Sequence, residues 1–155
     1  MKKTILTLNI EQIQRKIRKY VRLNKPFQKD DKIYVNSRFC KVLLKEILKD
    51  LPVTYVTTEK KANKVVIPWT LDDEINDFLQ NIFQRKSLKT NQKVIKLLKP
   101  ITDKEAALLA EKKDCHFTPN KKDPEIKHMI ENLQKDHPEI KHGLLKTASE
   151  LRSLD

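Results

Sequence analysis

The sequence predicts a small three-layer α/β fold on a mostly parallel sheet, with a helix before it and a helical extension after it. Three observations carry that expectation. Short β-type runs alternate with amphipathic stretches through the middle of the chain. Hydrophobic residues make up 38% of the 155, enough for a core and fitting one domain of ordinary size. Beyond residue 122 the pattern is helical only, and a proline opens each of its two segments. The expected organisation is a single domain over residues 1–155: an N-terminal helix in 1–27, an α/β core in 28–122 and C-terminal helices in 123–155.

Taken in order, Asn9 to Asn24 read as an amphipathic helix. Ile10, Ile13, Ile17, Tyr20 and Val21 recur at three- and four-residue spacing and share a face. Lys25 and Pro26 end it. KIYVN (Lys32 to Asn36) is a β-type run, and Phe39 to Lys49 returns to helical spacing. VTYVT (Val53 to Thr57) and KVVI (Lys64 to Ile67) are two further strands, separated only by Thr58 to Asn63. A parallel crossover ordinarily takes a dozen or more residues. These two strands therefore either pair antiparallel or sit apart in the sheet with a connecting unit missing.

Thr70 is placed to cap a helix over Leu71 to Gln84, whose first turn carries Asp72, Asp73 and Glu74, where the helix dipole favours acids. Val94 to Leu98 is a strand. Thr102-Asp103-Lys104-Glu105 is a capping box opening a helix through Lys112. Two helices follow, Pro124 to Asp136 and Pro138 to Ser153, with each proline expected near the first helical position, where its missing N–H does no harm.

Charge narrows the partners. Lys and Arg number 33 against 21 acids, for a net charge of +12, which implies a polyanion, and RNA before an anionic membrane. The candidate phosphate contacts are Arg15, Arg18, Lys19, Arg22 and Lys25 on the first helix, Lys60, Lys61 and Lys64 beside the short loop, Arg85, Lys86 and Lys89 in a basic connector, and Lys121 and Lys122. No run approaches the roughly 18 apolar residues of a membrane span, and no signal peptide is visible. The two cysteines, Cys40 and Cys115, form no C-x-x-C. A reducing, cytoplasmic location follows, with no metal site expected from cysteine or from His116, His128, His137 and His142.

The string KVVIPWTLDDEINDFLQNIF (Lys64 to Phe83) is the most informative. Strand, turn, LDDE and helix in that order resemble the Gly-His-Asn-Leu-Asp-Asp-Glu element of the N-type ATP pyrophosphatases that thiolate tRNA. Three more segments are similar to that family in the same order: IRKYVRLNKPFQKDDKIYV (Ile17 to Val35), LKPITDKEAALLAEKKDCHFTP (Leu98 to Pro119) and DPEIKHMIENLQKDHPEIKHGLLKTASEL (Asp123 to Leu151). The resemblance implies a reduced PP-loop ATPase fold. It makes Asp72 and Asp73 descendants of acids near an ATP–Mg²⁺ site, and Ser37 and Arg38 the remnant of its phosphate loop.

The departures are chemical. The family's first strand runs into Ser-Gly-Gly-x-Asp-Ser, whose glycines let backbone amides approach pyrophosphate. The corresponding piece here is Asn36-Ser37-Arg38-Phe39-Cys40, one residue shorter and glycine-free, with Phe39 expected to intrude. Pro68-Trp69-Thr70 replaces Gly-His-Asn, and the family's C-x-x-C segment has no counterpart. The expectation is a non-catalytic pseudoenzyme: an RNA-binding adaptor or subunit related to wobble-uridine 2-thiolation. It would bind tRNA, pair with an active thiolase subunit or a ribonucleoprotein, and need no cofactor. A minimal active ATP-dependent thiolation enzyme and a basic ribosome-associated protein are the alternatives.

Overall fold

A computed structural model describes residues 2–84 and 93–153, with side chains from residue 9 onward. Contacts divide the chain into two compact units, Met1–Thr70 with Gln92–Thr118, and Leu71–Asn91 with Pro119–Asp155.

The first unit holds helix α1 (Lys2–Asn24), strand β1 (Lys32–Val35), helix α2 (Arg38–Ile47), strands β2 (Thr54–Tyr55), β3 (Lys64–Ile67) and β4 (Val94–Lys96), and helix α4 (Asp103–Lys112). The four strands form one parallel sheet in the order β2-β1-β3-β4. Ile33, Val66 and Ile95 point to one face and meet Ile13 and Ile17 of α1, Leu43 and Leu44 of α2, and Ala106 and Leu109 of α4 in a single core. The α1–α4 contact also carries an ion pair, Lys16 Nζ to Glu105 Oε2 at 2.7 Å.

Local signals explain most of the element ends. Lys25 ends α1 at φ 44°, its N–H bonded to Val21 O. The Thr102–Glu105 capping box forms with both reciprocal hydrogen bonds, each 3.2 Å. Helix α4 closes without glycine: Asp114 takes φ 53°, its N–H reaches Glu111 O, and Cys115 N–H reaches Ala110 O at 2.8 Å, the two bonds of a Schellman end.

The strands around residues 56–63 are not antiparallel neighbours. β2 and β3 lie on opposite sides of β1 and both run parallel to it. The short return works because β2 has only two residues, about 7 Å of strand to retrace. A 3₁₀ turn, Glu59–Lys61, begins the return, and Asn63 pins its end. Asn63 N–H donates to Lys32 O (2.9 Å), its Oδ1 accepts from Lys32 N–H (2.8 Å), and its Nδ2 donates to Asp31 Oδ1 (3.0 Å).

Among the described residues the second unit contains three helices: α3 (Leu71–Phe83), α5 (Pro124–Asp136) and α6 (Ile140–Ser153). Leu71 and Ile75 of α3 pack with Ile126 and Ile130 of α5, joined by Leu144 and Leu145 of α6. Pro124 occupies the first helical position after its cap, Asp123. Pro138 does not: α6 starts at Ile140, and Pro138 lies in the preceding turn, where Ile140 N–H bonds His137 O. Among the described residues no helix is long and apolar enough to cross a membrane.

Candidate functional site

In an open parallel sheet, ligands bind beyond the carboxyl ends of the strands where the chain reverses its direction of travel across the sheet. The order β2-β1-β3-β4 puts that point between β1 and β3, so the loops 36–38 and 68–70 define the first candidate site.

The loop after β1 is a capped strand-to-helix turn. Ser37 has extended backbone (φ −108°, ψ 124°), its Oγ accepts from Cys40 N–H at 3.4 Å and its carbonyl accepts from Lys41 N–H. One amide of the helix N-terminus is thus satisfied by the protein's own hydroxyl. Arg38 is exposed. Phe39 does not intrude into the loop. It turns inward, 1% exposed, and meets the edge of Phe117 with ring centroids 6.2 Å apart. The chain's only glycine, Gly143, lies in α6, so every residue of this turn carries a Cβ.

After β3, Trp69 is half-buried with Lys96 Nζ 5.1 Å from its ring centroid, a cation–π contact. Thr70 is fully buried, and its hydroxyl donates to Asp103 Oδ1 at 2.6 Å.

In the second unit, the acids at the start of α3 each face a cation of the C-terminal segment. Asp72 Oδ1 lies 2.6 Å from Lys141 Nζ, Asp73 Oδ1 lies 2.6 Å from Lys122 Nζ, and Glu74 Oε1 lies 2.7 Å from Arg152 Nη1. Asn120 Nδ2 donates to the other oxygen of Asp73 at 3.0 Å, so both of its carboxylate oxygens are engaged. Arg152 also reaches Asp77 at 3.2 Å. These carboxylates satisfy the helix dipole and are neutralised at the same time.

None of these cations was legible as a partner from composition. Lys141 and Arg152 do share a face of α6, since 152 − 141 = 11 residues is about three helical turns. A run of three acids facing such a pair was the available signal. Lys122, expected as a phosphate contact, has its ammonium on Asp73 and on Asn120 O (2.6 Å).

The other expected phosphate contacts fall on separate surfaces. Arg15, Arg18, Lys19, Arg22 and Lys25 are exposed on and just past α1. Lys60 and Lys61 are exposed on the turn after β2, Lys64 is half-buried, and Lys121 is exposed in the second unit. Arg85, Lys86 and Lys89 lie outside the described residues. Cys40 is fully buried and burial pushes its thiol up to about 12. Cys115 is half-buried and donates to Lys113 O at 3.3 Å.

No family profile matches the chain, and no curated protein matches it in sequence. Among solved structures it is similar to the U34-tRNA thiolase NcsA from Methanococcus maripaludis with its [4Fe-4S] cluster, with a TM-score of 0.70 over 96% of this chain and 80% of the thiolase. The backbone matches a reduced PP-loop-like α/β fold. Identity is 18%, so the likeness establishes the backbone arrangement alone. The donor set here does not match such a cluster, which takes about four thiolates. The chain has two cysteines, and among the described residues no three His, Cys, Asp or Glu side chains group as metal ligands.

Proposed function

We propose that this protein is a non-catalytic, RNA-binding adaptor or subunit related to tRNA wobble-uridine 2-thiolation. Its RNA is tRNA and its place of action the cytoplasm. The protein partner is an active thiolase subunit or a related ribonucleoprotein. The observation that carries the reading is the pairing of Asp72, Asp73 and Glu74 with Lys141, Lys122 and Arg152. Asp72 and Asp73, which the resemblance places near an ATP–Mg²⁺ site, are instead compensated by the chain's own cations. Removing Lys122 takes its cation from a buried carboxylate that Asn120 also holds, so a metal must displace partners already in place.

Three further features support it. The turn after β1 carries no glycine and Ser37 Oγ occupies one of its helix amides, that of Cys40, whereas pyrophosphate binding at a helix N-terminus relies on open amides. The fold resembles that of a tRNA thiolase. The exposed basic face of α1 supplies sequence-independent attraction to phosphate. Calorimetric titration with ATP–Mg²⁺ tests the non-catalytic half: the expected result is no saturable heat, and stoichiometric binding by the isolated protein overturns it.

A further inference from the structure

Helix α2 turns Phe39, Cys40, Leu43 and Leu44 into the core. Its opposite face carries Arg38, Lys41 and Lys45, all exposed and spaced to form one stripe. From Arg38 to Lys45 the stripe runs about 10 Å along the helix. Among the described residues none of the three is paired with a carboxylate. The one acid of the helix, Glu46, is held by Lys113 at 2.9 Å.

Tyr55 lies beside this stripe, on the two-residue strand that forms one edge of the sheet. The ammoniums of Lys41 and Lys45 each sit 5.9 Å from its ring centroid. Two like charges therefore converge on one half-buried aromatic ring, and among the described residues no acid pairs with either. The Tyr55 phenol is neutral near neutral pH and burial pushes its titration further up, so it does not repel an anion.

We infer that Tyr55, Lys41, Lys45 and Arg38 form a binding site for single-stranded RNA, the ring stacking on an unpaired base and the cations holding the adjacent phosphates. The chemistry is that of other single-strand sites, where a cationic track follows the backbone and an aromatic side chain takes the base. Single-stranded RNA fits better than duplex, because only an unstacked base offers its face to a ring seated at a sheet edge. A phosphate between the two ammoniums removes their mutual repulsion. The site rests on the RNA-binding reading above and locates part of it on residues outside the basic α1 surface.

The test is fluorescence anisotropy with a short labelled single-stranded RNA and with tRNA across a salt series. Lys41→Gln/Lys45→Gln is expected to weaken binding and to reduce the log–log salt slope by roughly 1.4 to 1.8, the contribution of two contacts. Tyr55→Leu is expected to weaken binding roughly 5- to 150-fold with the slope unchanged, while Tyr55→Phe binds as wild type. Should Tyr55→Leu melt earlier than wild type, the double lysine variant decides, since both lysines are exposed. Wild-type binding by that variant, with loss of binding in Arg15→Gln/Arg18→Gln/Arg22→Gln, overturns this site and leaves the RNA reading standing. No RNA binding by the wild type, or retention on anionic phospholipid vesicles instead, overturns both.

Discussion

The ammonium of Lys122 lies 2.6 Å from Oδ1 of Asp73, a carboxylate whose side chain is 2% exposed. Breaking such a pair from one side removes the cation from a buried charge, so Lys122→Met is expected to destabilise the protein by about 3 kcal/mol, read from urea unfolding. Asp73→Asn/Lys122→Met is expected to recover most of that loss. A single variant as stable as wild type would show that the pair is solvated in solution.

Arg152 tests the same arrangement from the C-terminal end. It bridges Glu74 and Asp77 from α6, and Glu74 is 1% exposed. Arg152→Met is expected to cost about 3–5 kcal/mol and to expose the 140–153 backbone to hydrogen exchange. Equal protection in variant and wild type would mean that apolar packing alone holds α6.

Cys40 sets an alkaline limit. Its thiol titrates near 9.0 when unfolded and at about 12 when folded. Between those values the unfolded chain has lost the proton that the native one keeps, so stability present below pH 9 declines as pH rises, by about 1.4 kcal/mol per unit. The slope is expected to be shallower by that amount in Cys40→Ala. Near pH 8 a thiol reagent is expected to label Cys115 in the native protein and Cys40 only on unfolding. Fast native labelling of Cys40 contradicts its burial.

Asn63 accounts for how a short loop returns the chain from β2 to β3. Asn63→Ala removes the side-chain bonds to Lys32 N–H and Asp31 Oδ1 and is expected to cost about 1–2 kcal/mol. Hydrogen exchange should rise first in residues 54–64. A neutral effect would assign the crossover to backbone pairing alone.

These outcomes also mark what local sequence reports. Element order, the capping box at Thr102 and the acidic first turn of α3 depend on neighbours within a few residues, and they were readable. The placement of β2 depends on how little strand must be retraced, which a typical crossover length obscures. The direction of Phe39 is not legible in the sequence, because side-chain direction at a helix start depends on the core beneath it, here Phe117. The cations on Asp72, Asp73 and Glu74 come from another part of the chain, and no spacing rule links α3 to α6. The convergence of Lys41 and Lys45 on Tyr55 was hidden for the same reason, although their four-residue spacing was visible.

The most direct measurement is the affinity of the intact protein for tRNA as a function of salt. With six to eight phosphate contacts engaged, log affinity is expected to fall linearly against log salt with a slope of roughly −4 to −7. Binding indifferent to salt, or no binding at about 50 mM, would contradict an RNA-binding role for this fold.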